Sequence, residues 1–330
     1  MLHSMSSSVG GEVGVSFKVM TWNVENLFPP GSAFGPDTQA IYDEKLDGLA
    51  AVINAEAPHA LGVQEIGDPD ALDDLESRLN GTWHRRVSQH EDGRHIRVAW
   101  LSPLDIADSE EIFAFPQPLQ PVQSDDTGGT QPSMGRGAVA ITVTSDLGQP
   151  LRLVTAHLKS KLLTFPGGRF HPHDESERAR FAAYALYRRA AEAASLRTWA
   201  TTTLAAQTEP VVLCGDLNDT VQTATTQLLL GPPGSEIDTR GFKIPDQGDA
   251  QRLWNLAPLM QSGRNYSRIN QGRPELIDHI LVSELLVRKV DVNSVGAVVT
   301  QPLPSISPVP TARLNEPSSD HAPVVATFHV

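Results

Sequence analysis

Apolar residues in this chain cluster into short runs of strand length, and several of the runs are bounded by small polar islands. Val15 to Trp22 reads as a first strand, closing in Thr21-Trp22-Asn23. Ala60 to Val63 is a short buried strand that delivers Gln64-Glu65. Leu151–Ala156 leads into His157 and Lys159, and Pro210–Cys214 into Gly215-Asp216-Leu217-Asn218-Asp219. Leu276–Val282 carries Asp278-His279, and Ser319-Asp320-His321 precedes a last strand at Pro323–Phe328.

Between these runs the period lengthens. From Asp37 the positions Ile41, Leu49, Val52 and Ile53 predict an amphipathic helix, ended by Pro58. A small helix is expected over Pro69–Leu79, followed by alternating strands near Trp83–Val87 and His95–Leu101. Ala138–Thr144 pairs with Leu151–Ala156 in an expected hairpin through Asp146-Leu147-Gly148. Glu175 to Leu204 predicts a long helix with Asp174 and Ser176 as capping residues. Its arginines Arg178, Arg180, Arg188 and Arg189 are expected on a solvated face, with Tyr184, Leu186 and Tyr187 in its packing stripe. Val290–Val298 reads as a further strand, and the stretches 102–137, 158–173 and 231–273 as loops around a site. The periodicity by itself supports α/β.

Length changes this picture little: 330 residues suffice for one large domain or two ordinary ones. The islands run from Asn23 to His321, which favours a single domain over 15–330 behind a disordered lead-in at 1–14. The one cysteine, Cys214, lies in an apolar run and reads as a small buried hydrophobe; no intramolecular disulfide is available. The lead-in lacks the pattern of a secretory signal, and no apolar run reaches the roughly 18 residues of a membrane span. A cytoplasmic protein is the expectation. The net charge of −13 excludes a broad basic surface for wrapping long nucleic acid, but not a local patch that engages one or two phosphates.

Carboxylates, amides and imidazoles delivered by separate strand ends suit a metal-assisted attack on phosphorus, where charge must be held on several sides of one atom. At its islands the chain resembles the endonuclease/exonuclease/phosphatase superfamily, the DNase I-like fold. The strings that carry the resemblance are Thr21-Trp22-Asn23, Gln64-Glu65, His157-Leu158-Lys159-Ser160, Gly215-Asp216-Leu217-Asn218-Asp219, Ile277-Asp278-His279-Ile280 and Ser319-Asp320-His321-Ala322-Pro323-Val324. The opening Trp22-Asn23-Val24-Glu25-Asn26-Leu27-Phe28 looks more like bacterial members than vertebrate repair enzymes. The resemblance implies a four-layer α/β/β/α sandwich, two mainly antiparallel sheets packed face to face.

It also implies roles. Glu65 resembles the principal ligand of Mg²⁺ or Mn²⁺, Asn23 the amide that helps position metal or phosphate, and Asp320 a further contributor to the metal site. Asp216 and Asn218 resemble the pair that orients the attacking water and the scissile phosphate. Asp278 and His321 resemble a dyad in which the carboxylate fixes the imidazole tautomer. His157 resembles a second histidine that donates to the phosphate; repair-type members carry a tyrosine there, which speaks against abasic-site repair. Whether Asp216 or His321 takes the proton of water stays open at this point. Arg136 matches a basic position near the phosphate or is an exposed loop arginine. Lys159, with Lys161, Arg169, His171 and His173, is part of a substrate patch or of a solvated loop. His279 is expected to point away from the site.

The expected activity is therefore a divalent-metal-dependent phosphoesterase, foremost a nuclease with DNA or RNA as substrate. The alternative is a phosphatase or phosphodiesterase of a small phosphorylated metabolite, inositol phosphate or phospholipid. Few aromatic residues (6%) and the acidic balance lean toward that alternative.

Overall fold

In the computed structural model of the chain, residues 16–144, 150–206, 208–306 and 312–329 are described. The expected lead-in at 1–14 and the turn Asp146-Leu147-Gly148 lie outside them. In chain order the principal elements are β1 (Ser16–Leu27), α1 (Gln39–Glu56), β2 (Ala60–Ile66), α2 (Pro69–Glu76), β3 (His84–Val87), β4 (Arg97–Ser102), β5 (Ile106–Ala114), β6 (Ser133–Val143), β7 (Leu151–His157), α3 (Glu175–Ala205), β8 (Val211–Asp216), α4 (Ala224–Leu230), β9 (Leu253–Asn255), β10 (Asp278–Ser283), β11 (Gly296–Ala297) and β12 (Val324–His329).

These strands build two six-stranded sheets, ordered β11-β12-β1-β2-β4-β3 and β9-β10-β8-β7-β6-β5. All pairings within them are antiparallel except one in each sheet, β1 with β2 and β7 with β8. The inward residues of both sheets, among them Phe17, Val19, Trp100, Ile141, Leu153, Val212, Cys214, Ile280 and Phe328, form the core between them. Outward residues alternate with these, as the two-residue period of a strand requires. Met20, Trp22, Leu61 and Val63 pack under α1 and α2, and Ala140, Val154, Ala156 and Leu213 under α3 and α4. The result is the α/β/β/α sandwich. Trp100 ties the sheets together by donating Nε1–H to the carbonyl of Val139, 2.9 Å away. Replacing so buried a side chain by alanine costs about 3–5 kcal/mol.

The helices follow local rules. Thr38 caps α1 by accepting from Ile41 N, and Asp174 caps α3 by accepting from Glu177 N at 2.7 Å. The packing stripe of α3 is Phe181, Ala185, Leu196, Trp199, Ala200 and Leu204; of the residues expected in it, Tyr184 is half-buried edge-on to Phe181, while Leu186 and Tyr187 are exposed. Arg178 and Arg180 lie on the solvated face, but Arg189 is buried on Asp219 at 2.9 Å and Arg188 reaches the buried Glu192 at 3.1 Å.

Two further expectations give way. The stretch 102–137 is not one loop, because β5 forms the edge of the second sheet. Most of β5 is exposed, so its alternation is weak, and its acids Asp108 and Glu110 hold Arg152 of β7 at 3.1 and 2.7 Å. Conversely, of the run 290–298 only Gly296–Ala297 pairs as a strand. Among the described residues no helix is long and apolar enough to cross a membrane.

Candidate active site

The two parallel pairs, one per sheet, deliver most of the polar islands to one place. In the second sheet the register does the work. Asp278, Asp216 and His157 are direct cross-strand partners on β10, β8 and β7, so three functional groups stand in a row. Alternation sends all three to the inter-sheet side, with Ile280 and Cys214. Gly215 has φ +140°, and a Cβ there would lie 2.0 Å from the carbonyl oxygen of Ala156; glycine lets β8 stay paired up to Asp216.

In the first sheet the backbone departs from regularity. Asn23 pairs with Gln64, after which β1 bulges through Val24-Glu25-Asn26 and β2 bulges at Glu65. Gln64 points between the sheets, donating Nε2–H to Thr21 Oγ1 at 3.1 Å and Thr155 Oγ1 at 2.9 Å. Plain alternation would send Glu65 to the opposite face. Its left-handed φ of +67° redirects it, so that Asn23 Nδ2 reaches Glu65 Oε1 at 3.3 Å. Asn26 N–H donates to Glu65 Oε2 at 2.9 Å, and Asn23 Oδ1 accepts from Glu25 N at 3.0 Å. Left-handed backbone at a non-glycine residue costs energy, and here it sits where a carboxylate is aimed at the other sheet.

The centre of the arrangement is one oxygen. Asp216 Oδ2 accepts from Asn23 Nδ2 at 3.0 Å and lies 3.3 Å from His157 Nε2 and 4.0 Å from His321 Nε2. Glu65 Oε1 lies 4.0 Å from His157 Nε2. His321 donates Nδ1–H to Asp278 Oδ2 at 2.7 Å, and its Nε2 is 3.9 Å from Asp320 Oδ1. Asn218 turns away from a strand conformation (φ +53°). Its N–H closes an Asx turn on Asp216 Oδ1 at 2.8 Å, while Nδ2 donates to Leu158 O at 3.0 Å. His279 faces away as expected, donating Nε2–H to Asp219 O at 2.9 Å and accepting at Nδ1 from Asn255.

The electrostatics follow from this packing. Burial alone would raise the carboxyl of Asp216, but His157, His321 and Arg268 outweigh it and hold Asp216 well below the usual carboxylate range. Burial opposes the charge of Glu65 too, and His157, Arg94, Arg136 and the Asn26 N–H overcome it, so Glu65 is also held low. Burial disfavours a charged His321, yet Asp278, Asp320 and Asp216 around it push it up to about 10. The resting centre is an imidazolium among carboxylates.

Arg136 and Lys159 stand beside this centre. Arg136 is buried on Asp92 at 2.9 Å and reaches Leu158 O at 3.4 Å. Lys159 points into its own loop, donating from Nζ to the carbonyls of Leu162 and Ser160 at 2.8 and 3.0 Å. Burial, with Arg136 and Arg188 nearby, lowers it to about 7. Of the other loop cations, Lys161 pairs with Asp219 at 3.1 Å and Arg169 with Glu177 at 2.8 Å.

A second circle was not visible as chemistry in the sequence. Glu25 receives both Nε and Nη2 of Arg313, at 2.9 and 3.1 Å, and accepts the N–H of Asp320 at 2.9 Å. Arg313 Nη2 also donates to Ser318 O at 2.9 Å, and the buried Lys45 of α1 donates to the Glu25 carbonyl. Burial and Asp320 raise Glu25 to about 7, against Arg313 and Lys45. The network fixes the segment carrying Asp320 and His321 onto the bulge of β1. Its sequence signal is an acid just after the first island; the arginine lies 288 residues away.

A hard divalent cation prefers oxygen donors, with one or two carboxylates and retained waters. The buried carboxylates here fit that preference. Ligand atoms of Asp216, Asp278 and His321 lie within 4.8 Å of one another. Asp278 Oδ1 and His157 Nδ1 are buried without a hydrogen-bond partner. In that cluster Asp278 and His321 already bond each other. Asp216 Oδ2 is engaged by Asn23 and His157, so Glu65 remains the better-placed oxygen donor, with Asp320 at the rim.

Comparison with known proteins agrees with this geometry. The profile of the Endonuclease/Exonuclease/phosphatase family matches residues 20–321. No curated protein matches the sequence. Among solved structures, the human Nocturnin catalytic domain with bound sulfate anion is 16% identical, covers 96% of each chain and superposes with a TM-score of 0.58. Truncated TDP2 of Caenorhabditis elegans is 18% identical over 96% of this chain and 98% of its own, with a TM-score of 0.56. D. rerio TDP2 complexed with single strand DNA product is 16% identical over 96% and 99%, with a TM-score of 0.55. At such identities the likeness speaks for the fold.

Proposed function

Because the chain belongs to the endonuclease/exonuclease/phosphatase family, we propose that it is a divalent-metal-dependent nuclease, hydrolysing DNA or RNA phosphodiesters by in-line attack of water in one domain over 15–330. Enzymes of this family are metal-dependent hydrolases of phosphoester bonds; the substrate is our reading. One observation carries it: Asn23, His157 and His321 converge on a single oxygen of Asp216, with the redirected Glu65 alongside. In the related fold, D. rerio TDP2 holds a single strand DNA product and Nocturnin a sulfate anion, which favours a phosphate of nucleic acid at this place.

Glu65, with Asp320 and the amide of Asn23, would hold Mg²⁺ or Mn²⁺. Such an ion supplies charge stabilisation at phosphorus. The chain's own groups do the rest. Asp216, anionic, accepts a hydrogen bond from the attacking water and takes its proton as the new P–O bond forms. Asn218, pinned by Leu158, and His157 clamp the non-bridging oxygens, with Arg136 and Lys159 behind them. His321, charged at neutral pH and oriented by Asp278, donates a proton toward the leaving oxygen.

The net charge of −13 favours a second reading, a small phosphodiester or phosphomonoester as substrate. Hydrolysis of plasmid DNA, single-stranded RNA and bis-p-nitrophenyl phosphate, with Mg²⁺, Mn²⁺ or EDTA, separates the two. Metal-dependent cutting of nucleic acid by wild type, lost in His321→Ala, supports the nuclease. Turnover of the small diester alone moves the substrate to a metabolite or lipid.

A further inference from the structure

We infer that the cleft between the 158–166 loop and α3 is a nucleoside-phosphate subsite, in which Arg188 binds an anionic phosphate and the half-buried ring of Tyr184, backed by the buried Phe165 and Phe181, receives the base. The inference rests on the phosphodiesterase reading and narrows its substrate to nucleotides. The cleft has a volume of about 440 Å³, lined by these four residues together with Lys159 and Gln131. That is within the range of about 300–1,000 Å³ typical of small-molecule sites.

The cleft shares backbone with the catalytic centre. Lys159 follows His157 by two residues, and the carbonyl of Leu158 between them accepts from Asn218 Nδ2 at 3.0 Å and Arg136 Nη1 at 3.4 Å.

Arg188 differs from its neighbours in its terminal amino groups, not in having a carboxylate partner. Arg136, Lys161, Arg169 and Arg189 are each matched to a carboxylate, and the ammonium of Lys159 is turned onto carbonyls. Arg188 uses only Nε, on Glu192 at 3.1 Å, and among the described residues its two terminal amino groups have no acceptor. Glu192 itself is buried and also accepts from Lys159 N at 2.5 Å. The guanidinium is thus held in place by a fixed carboxylate, with Nη2 beside Gly135, and keeps terminal N–H donors for a phosphate. In a protein of net charge −13 this positive group is selective rather than part of a general basic surface.

One turn earlier the same face of α3 is aromatic. Phe165 and Phe181 lie 5.1 Å apart between ring centroids, and Phe181 meets Tyr184 edge-on at 5.7 Å. The two phenylalanines are buried and hold Tyr184, whose half-buried ring is the one able to stack a planar heterocycle, and Gln131, which also lines the cleft, offers a donor and an acceptor to its edge. An inositol phosphate would satisfy the arginine but leave the ring of Tyr184 without a partner.

Calorimetric titration in EDTA tests the subsite without turnover, using thymidine 5′-monophosphate and ribose 5-phosphate as probes. Wild type is expected to bind the nucleotide at least about tenfold more tightly than the base-free sugar phosphate, as stacking of one base predicts. Arg188→Ala is expected to weaken both probes about tenfold. Tyr184→Ala, a change at a solvent-accessible ring, is expected to weaken only the nucleotide. Equal affinity of wild type for the two probes, or unchanged nucleotide affinity in Arg188→Ala, overturns the subsite. Metal-dependent turnover of bis-p-nitrophenyl phosphate by wild type reads the catalytic proposal separately. Turnover without arginine-dependent nucleotide binding refutes the subsite alone; arginine-dependent binding without turnover refutes the catalytic reading and leaves the subsite standing.

Discussion

The two parallel strand pairs reach the same point by opposite means. β7 and β8 stay in register to their last residues, and His157 and Asp216 face each other as ordinary cross-strand partners. β1 and β2 lose register: Glu25, Asn26 and Glu65 all take positive φ, and the bulge is held by Asn23, Arg313 and Lys45. A regular pair places two side chains on one face with no further support. A distorted pair can aim a carboxylate where alternation forbids it, but it must be held by contacts from elsewhere. The first half should therefore fail by loss of chemistry, and the second by loss of position as well.

The largest effect expected is at the meeting point. His321→Ala should lower kcat/KM on bis-p-nitrophenyl phosphate by about 10²–10⁴, the range for removal of a positioned proton donor, while circular dichroism stays native. A loss below tenfold would remove His321 from the chemistry. Glu65→Gln keeps the shape of the distorted half and removes its charge. It should cost at least about a hundredfold and raise the Mg²⁺ concentration for half-maximal rate, more than an outer partner would. An unchanged metal dependence would say that Glu65 is held for structure alone.

Asp278→Asn sharpens the comparison on the regular side. The imidazole of His321 would lose its strongest orienting partner, at a cost of about 10–100-fold in rate. The sign of the pH effect follows from the folded protein. His321 is raised from its ordinary value of 6.5 to about 10, first among its supporting charges being Asp278. Its stabilising contribution is complete below pH 6.5 and lost as pH rises through about 10. In EDTA the melting temperature of wild type should fall across that window, and Asp278→Asn should flatten the fall; parallel curves for the two proteins would refute the pairing.

The smallest change expected is Glu25→Gln, which weakens the clamp on Arg313 and Asp320 without touching a reacting group. About a tenfold loss in kcat with little change in KM is expected, recovered in part by Glu25→Asp. A pure stability loss with normal kcat at low temperature would make the network structural only.

How much of this was legible in the sequence divides along the same line. Asn23, Glu65, His157, Asp216, Asp278 and His321 could be placed because each lies at the end or start of an apolar run, and the structure brings their side chains together. Alternation also placed His279 away from the centre. Residues whose partner is distant in sequence could not be read. Arg313 and Glu25 meet across 288 positions, and Lys45 looks like any helix lysine until its helix packs on the bulge. The outward residues of α3 were misjudged because Arg188 and Arg189 lie against Glu192 and Asp219, whose burial depends on the adjoining loop. β5 was missed because an exposed acidic edge strand carries little apolar period. The redirection of Glu65 rests on a single φ angle, which no residue type announces.

The central claim is that the regular and the distorted pair form one centre. The direct test is a double-mutant cycle on kcat/KM with Glu65→Gln, Asp216→Asn and both together. If the two carboxylates act as a unit, the double variant should lose no more than about as much as the worse single one. Losses that multiply would contradict the account, because they would show two carboxylates acting independently.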